Sequence, residues 1–386
     1  MFEKKVIKKL GRIDTPFYYY DLKLLHDTLT VVKEESDKYN YKVHYAFKAN
    51  ANDRILNVIR DYGFGADCVS GYEVRKALEK GFDNRKVVFA GVGKADWEIN
   101  LGIDADIESF NVESIPELEI IDELAGKKNK IVNVALRINP NVNANTHHYI
   151  TTGLEENKFG INQWDLDKVV DVMANLTNVR FYGLHFHIGS QITDLKSFRN
   201  LCLRVNELQK WFVSKRLFPR IINVGGGLGV DYENPNGNSM PDFKAFFALF
   251  DEILDLNPEQ ELHFELGRSL VAQCGTLISK VLYVKEGVNT KFAIIDAGMS
   301  DLIRPALYQA YHKVENLTSE MPTEKYDVVG PICESSDSFG KAVKLPHTKR
   351  GDLIAIRSAG AYGEVMASQY NLRRLPLAYY SDDDLF

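Results

Sequence analysis

A lysine, a carboxylate, a guanidinium and a run of glycines stand where a chain could use them together. Lys48 closes the apolar run His44-Tyr45-Ala46-Phe47-Lys48 and is followed by Ala49-Asn50. Most lysines are solvated, but one at the mouth of a closed sheet is desolvated, which lowers its pKa and favours Schiff-base chemistry. Glu265-Leu266-Gly267-Arg268 brings a carboxylate, a glycine and an arginine to one turn. The arginine's donors match two oxygens of a phosphate or carboxylate at once. Glu265 cannot bind a phosphate, but it suits a protonated ring nitrogen. In Gly225-Gly226-Gly227-Leu228-Gly229 the glycines have no Cβ to keep an anion from the backbone N–H groups, although the run could also be a simple turn. His185 and His187 fall on one side of a strand. They fit either a metal site, as His-x-His pairs do in barrel hydrolases, or an imidazole stacked on a flat cofactor ring. Farther along, Cys333 beside Glu334 could donate a proton. Arg304 and Tyr308 share a helix face and, with Tyr362, suit an amino-acid substrate.

The elements that must position these residues are read from periodicity. Short β-rich runs near Val43–Phe47, Gly65–Cys68, Val87–Ala90, Asp106–Phe110, Ile131–Ile138, Val179–His185, Ile221–Val224 and Leu262–Glu265 alternate with helical patterns. Phe198, Leu201, Val205, Leu208 and Phe212 share one helix face, and so do Phe243, Phe246, Phe247, Phe250 and Leu254. Ser114 and Glu117, with Pro116 in the first turn, read as a capping box. This alternation over roughly 240 residues has the length of a (β/α)8 TIM-type barrel. A doubly wound open sheet competes, but it wants a Gly-rich turn after the first strand, where Lys48-Ala49-Asn50 has no glycine. On a barrel, active residues stand at C-terminal strand ends, and phosphate is often held after strands seven and eight. Those are the places of the glycine run and of Glu265–Arg268.

From residue 270 onward the pattern changes. Thr276–Val284, Lys291–Ile295, Asp327–Val329 and Asp352–Ile356 are short and β-branched, and only Asp301–His312 reads as helical. A second, β-rich domain of barrel or sandwich type is expected, with the strand-like Pro16–Tyr20 joining it. The expected boundaries are 25–269 for the barrel and 1–24 with 270–386 for the β-rich domain.

A chain of 386 residues suits one large domain and a smaller one. The net charge of −6 with no basic stripe argues against a nucleic-acid partner. Cys68, Cys202, Cys274 and Cys333 are far apart with no CxxC pair, which fits a reducing compartment and no metal knuckle. No apolar run is long enough for a signal peptide or a membrane span, so a soluble, cytoplasmic protein is expected.

Taken together, these stretches resemble the diaminopimelate decarboxylase family, fold-type III pyridoxal-phosphate enzymes of the alanine-racemase-like group. The resemblance runs over almost the whole chain, through YAFKAN (45–50), DCVSGYE (67–73), THHYITTG (146–153) with KFGI (158–161), GLHFHIGSQI (183–192), VGGGLGVDY (224–232), ELGR (265–268), DAGMSDLIRPALYQAYH (296–312), GPICESSD (330–337) and GAYG (360–363). It implies pyridoxal 5′-phosphate bound to Lys48, with His187 on the ring face and Glu265 on the ring nitrogen. Gly225, Gly226, Gly227, Ser190 and the main chain of Gly267 and Arg268 would hold the phosphate. Arg268, Arg304 and Tyr308 would bind a substrate carboxylate, Glu334 the distal amino group, and Tyr362 the cofactor or substrate. Cys333 would be the proton donor, and the Cys333–Glu334 segment would complete the site of a second subunit in a homodimer. The implied reaction takes meso-2,6-diaminopimelate to L-lysine and carbon dioxide, the last step of lysine biosynthesis. The family's usual proline is Leu266 here, its glycine after Cys-Glu-Ser is Ser336, and the chain is short for the family. The rival readings are a related decarboxylase acting on ornithine, arginine or carboxynorspermidine, a metal-dependent hydrolase using His185 and His187, and a non-catalytic homologue.

Overall fold

A computed structural model describes residues 2–142 and 158–384, so the 146–153 stretch lies outside the described residues. The chain divides into two compact units. One comprises Leu29–Gly229 with Asp242–Gly267, the other Met1–Thr28 with Val230–Pro241 and Arg268–Phe386.

The first strand, β1 (Phe17–Tyr20), belongs to the second unit. The first unit is a closed parallel barrel of β2 (Lys42–Ala46), β3 (Gly65–Cys68), β4 (Val87–Phe89), β5 (Ser109–Val112), β6 (Val132–Arg137), β7 (Val179–His185), β8 (Ile221–Asn223) and β9 (Glu261–Leu266), neighbours following chain order. β9 closes on β2 with Lys42 opposite His263 and His44 opposite Glu265. Helices such as Asp53–Asp61, Leu195–Ser214 and Phe243–Ile253 lie between successive strands. Most strand residues are buried, as expected where helices cover a parallel sheet.

The predicted helix faces are the buried ones. Phe198, Leu201, Val205, Leu208 and Phe212 all face inward. Phe264 on β9 gathers Tyr41, Phe246, Phe247 and Phe250 at ring-centroid distances of 5.4, 5.5, 5.0 and 4.9 Å.

Three local readings shift. β5 begins at Ser109 rather than Asp106, because Asp106 takes a left-handed φ of 50° as the preceding helix ends. β2 ends at Ala46, and Phe47–Ala49 wind into a 3-10 turn, so Lys48 sits on a turn just past the strand. Ser114 does cap Ile115–Lys127, its Oγ accepting from Glu117 N at 3.4 Å. The Glu117 carboxylate instead accepts from Glu113 N at 2.7 Å, one residue before the position a reciprocal capping box uses.

The second unit is built on a sheet. β10 (Gly275–Glu286), β11 (Lys291–Ile295), β12 (Val314–Asn316), β13 (Thr323–Val329), β14 (Ser338–Pro346), β15 (Leu353–Ile356) and β16 (Leu377–Tyr380) join β1, in the order β12-β15-β10-β11-β13-β14. β1 pairs antiparallel with β10 and parallel with β16, as its strand-like sequence suggested. Leu10, Phe17, Tyr19, Ile278, Leu353 and Ala355 form a core here. The helix expected over Asp301–His312 is only Arg304–Tyr308, closed by Gln309 at φ 53°. Segment 230–241 is tied to this unit by Gln273 Nε2 donating to Asp231 O at 2.7 Å and Arg357 Nη1 donating to Asn236 Oδ1 at 3.1 Å. No helix among the described residues is long and apolar enough to cross a membrane.

Phe264 is fully buried at the meeting point of four aromatic rings. Phe264→Ala should therefore cost about 3–5 kcal/mol of barrel stability. The check is the urea midpoint of the apoprotein, where a change near zero would show that this cluster does not hold the barrel.

Candidate active site

At the end of β9, Glu265 is the centre of a polar cage. Its Oε1 accepts from Asn111 Nδ2 on β5 at 3.0 Å and from Asn223 Nδ2 on β8 at 2.8 Å. Its Oε2 lies 3.0 Å from His185 Nε2 on β7. Burial alone would push the carboxyl up, but the charge and hydrogen bond of His185, together with Lys48, outweigh it and hold Glu265 well below the usual carboxylate range. Asn223 is itself aimed, because its Oδ1 accepts from Gly225 N at 2.9 Å.

Lys48 reaches across from its turn after β2. Its Nζ donates to Asp67 Oδ2 on β3 at 2.9 Å; the Asp67 side chain is fully buried while Lys48 is 39% exposed. Burial pushes the Asp67 carboxyl up, repulsion from Glu265 adds to this, and Lys48 pulls the other way. Asp67 Oδ1 is buried with no partner among the described residues.

His187 lies just past the end of β7, and its Nδ1 accepts from Gly226 N at 3.4 Å. Burial, with the nearby charges of Arg137 and Lys48, pushes its pKa down to about 3, so the ring is neutral. His185 faces Glu265, so the two histidines do not act as one ligand pair. The glycines after β8 are required by close backbone approach. A Cβ on Gly226 would lie 2.0 Å from Glu265 O, and Gly225 adopts φ 69°. Gly267 is pressed on the turn that carries Lys48, since its Cβ would stand 3.0 Å from the Cβ atoms of Ala46 and Ala49. Ser190 is half-buried in the turn after β7.

The second unit carries its own constellation. Arg268 and Arg304 are both buried. Arg268 Nη1 donates to Tyr232 Oη at 2.6 Å, and its guanidinium lies 4.8 Å from the centre of the Tyr362 ring. The Arg304 guanidinium stands 5.8, 6.0 and 5.9 Å from the rings of Tyr232, Tyr308 and Tyr362. Its Nε donates to His312 Nε2 at 3.3 Å, and His312 Nδ1 in turn lies 2.9 Å from Arg357 O. Burial and the charge of Arg304 push His312 down to about 3, which makes it a neutral acceptor. Arg304 thus has no carboxylate partner among the described residues, and its charge is left for an anion.

Cys333 and Glu334 are exposed on a tight turn wound around Asp337. Asp337 Oδ2 accepts from Ile332 N at 2.7 Å and Oδ1 from Met299 N at 2.6 Å. Glu334 Oε1 accepts from Tyr370 Oη at 2.6 Å, and Cys333 N donates to Asn371 Oδ1 at 3.3 Å.

The sequence alone assigned no role to Asp67, Asn111, Asn223, Tyr232 or His312. An asparagine inside a short buried strand is disfavoured, and that was the available signal for Asn111 and Asn223.

His187 and His312 have a consequence for stability. Both have folded pKa values near 3, below the ordinary histidine value of about 6.5. As pH falls through that window the unfolded chain binds protons that the folded chain refuses, so stability is lost on acidification. The urea midpoint of the apoprotein should fall from about pH 6.5 to about pH 5, and less steeply in His312→Asn. Equal slopes in the two proteins would remove His312 from this account.

Residues 24–272 match the family model of the pyridoxal-dependent decarboxylase, pyridoxal binding domain. A diaminopimelate decarboxylase of Bacteroides thetaiotaomicron is 64% identical over 98% of this chain and 98% of its own length. The crystal structure of diaminopimelate decarboxylase from Helicobacter pylori complexed with L-lysine superposes with a TM-score of 0.92 at 38% identity, covering 98% of this chain and 94% of that one. The M. jannaschii enzyme in co-complex with L-lysine gives 0.90 at 36% identity, covering 97% and 89%. The chain belongs to the pyridoxal-dependent decarboxylases and, within them, to the diaminopimelate decarboxylases.

Proposed function

We propose that the chain removes carbon dioxide from meso-2,6-diaminopimelate to form L-lysine, using pyridoxal 5′-phosphate held covalently by Lys48. The observation that carries this reading is Glu265, a buried carboxylate kept ionised in the same barrel mouth that presents a primary amine. The donor set fits the cofactor. Lys48 offers the amine, the Cβ-free loop at Gly225–Gly227 lets an anion come close to the backbone, and Oε2 of Glu265 keeps an acceptor position beyond its bond with His185. When bound, the cofactor supplies a protonated ring that accepts the electron pair left behind as carbon dioxide departs.

The chain's own residues orient the reaction and move its proton. Glu265 keeps the ring nitrogen protonated, and His187 offers a flat, uncharged face. Gly225, Gly226, Gly227, Ser190 and the main chain of Gly267 and Arg268 take the phosphate. Arg304 holds a substrate carboxylate with Arg268 and Tyr308, its guanidinium steadied by the neutral His312. Tyr362 contacts the cofactor or the substrate. Glu334 binds the distal amino group, and the Cys333 thiol delivers its proton to the carbon that lost the carboxylate. Both stand exposed on the turn around Asp337, which suits a segment donated to the site of a second subunit in a homodimer. The free thiols of all four cysteines suit a reducing, cytoplasmic setting.

Assay of the purified protein for lysine and carbon dioxide, with and without added pyridoxal phosphate, tests the reaction. Diaminopimelate should be turned over in preference to ornithine, arginine and carboxynorspermidine, and a preference for any of those three would overturn the substrate assignment. Cys333→Ala should keep the visible absorption of the cofactor while losing about 10²–10⁴-fold in kcat, the usual contribution of a positioned proton donor. Undiminished turnover in that variant would refute the role of Cys333.

A further inference from the structure

The barrel interior holds a second polar cluster that this reaction does not use. His263 stands two residues before Glu265 on β9, and His44 lies on the neighbouring β2. The two residues are 1% and 2% exposed, and their rings stack with centroids 5.0 Å apart. Glu108, immediately ahead of β5, brings Oε2 to 3.0 Å from His44 Nε2. Glu261 Oε2 lies 3.3 Å from His263 Nε2. Gly65 on β3 makes room for the cluster, because a Cβ there would lie 2.4 Å from His44 Cδ2. The Nδ1 atoms of both imidazoles are buried without a partner among the described residues.

Such a cluster needs a physical reason. The inner layers of these barrels are ordinarily filled by branched aliphatic side chains. An imidazole buried with an orphaned nitrogen costs free energy, and a buried group of that kind commonly marks a bound water or ion. One ligand atom each from His44, Glu108 and His263 already lie within 4.8 Å of one another.

We propose that His44, His263 and Glu108 bind one divalent transition-metal ion of the Zn²⁺ class inside the barrel. Two imidazoles and a carboxylate form a borderline-soft donor set that suits Zn²⁺, whereas Ca²⁺ and Mg²⁺ call for oxygen ligands. Ligand atoms around a tetrahedral Zn²⁺ stand roughly 3.3 Å apart, since the bonds are about 2.0–2.1 Å long. Side-chain rotation closes the remaining gap, and Glu108, with its side chain 11% exposed, has room to supply it. Glu261 is placed to orient His263 from behind. The ion ties β2 and β9, the seam at which the barrel closes, to the lead into β5. Its role is structural.

The test uses the pyridoxal-phosphate-loaded protein stripped with a chelator, then dialysed against limiting Zn²⁺ and, separately, Co²⁺. The wild type should take up one Zn²⁺ per chain, show Co²⁺ visible bands of tetrahedral nitrogen and oxygen coordination, and melt at a higher temperature with Zn²⁺. The near-isosteric Glu108→Gln and, independently, His263→Gln should bind at least about tenfold more weakly and lose the thermal shift. Exposed Cys333 is the competing site for a soft metal. Uptake that persists unchanged in both variants, a thiolate-type Co²⁺ spectrum, or no stoichiometric uptake by the wild type would each overturn the proposal. Should His263→Gln fail to fold, Glu108→Gln decides alone.

Discussion

An ionised carboxylate buried at the top of a barrel is the constraint on which the rest of that unit depends. Taking Glu265 out of water is costly unless its charge is met by donors already in place. Those donors come from three other strands: Asn111 on β5, His185 on β7 and Asn223 on β8. None of these strands adjoins another in that set except β7 and β8, so the cage exists only when the sheet closes with every strand in register. A slip of one residue on β5 or β8 would turn an amide outward and leave the carboxylate unpaired. Fold and chemistry are thus enforced by the same hydrogen bonds.

The two arginines of the sheet unit show the opposite economy. Arg268 is tied to Tyr232 and the Tyr362 ring, and Arg304 to rings and a neutral imidazole. Tyrosine and neutral histidine can fix the direction of a guanidinium without cancelling its charge. A carboxylate in the place of His312 would fix Arg304 more strongly and cancel its charge. The low pKa of His312 keeps this contact intact, because protonation would turn an acceptor into a repelling donor.

Much of this was legible in the residues, and what was not has a common cause. Strand and helix positions followed local periodicity, as the buried Phe198–Phe212 face illustrates. Lys48, Glu265 and the glycine run stood out because strand ends and glycines are punctuation that can be read locally. The readings failed where the outcome is decided by atoms distant in sequence. Asn111 meets Glu265 across 154 positions, and no spacing rule connects them. The helix expected through His312 stops at Tyr308 because His312 is drawn to Arg304 and to Arg357 O instead of continuing the turn. The glycine run was read for anion binding, yet Gly225, Gly226 and Gly227 are each already demanded by a neighbouring carbonyl, so backbone packing and ligand approach make the same request of the sequence.

Leu266 shows how a departure from the family pattern is absorbed. A proline there would fix φ and remove an N–H. Leu266 is fully buried and aligned with Tyr45 in the β2–β9 pairing, so it can stay in the strand as an ordinary ladder residue and fill core space. The bend that must follow is imposed one residue later. Gly267 packs on Ala46 and Ala49, the residues on either side of the Phe47–Lys48 pair. Those two alanines and that glycine are the smallest side chains available, and together they let the end of β9 lie directly against the turn bearing Lys48. The approach of β9 to the turn that carries Lys48 is therefore set by small-residue packing at this seam, where bulk at Gly267, Ala46 or Ala49 would push the two apart.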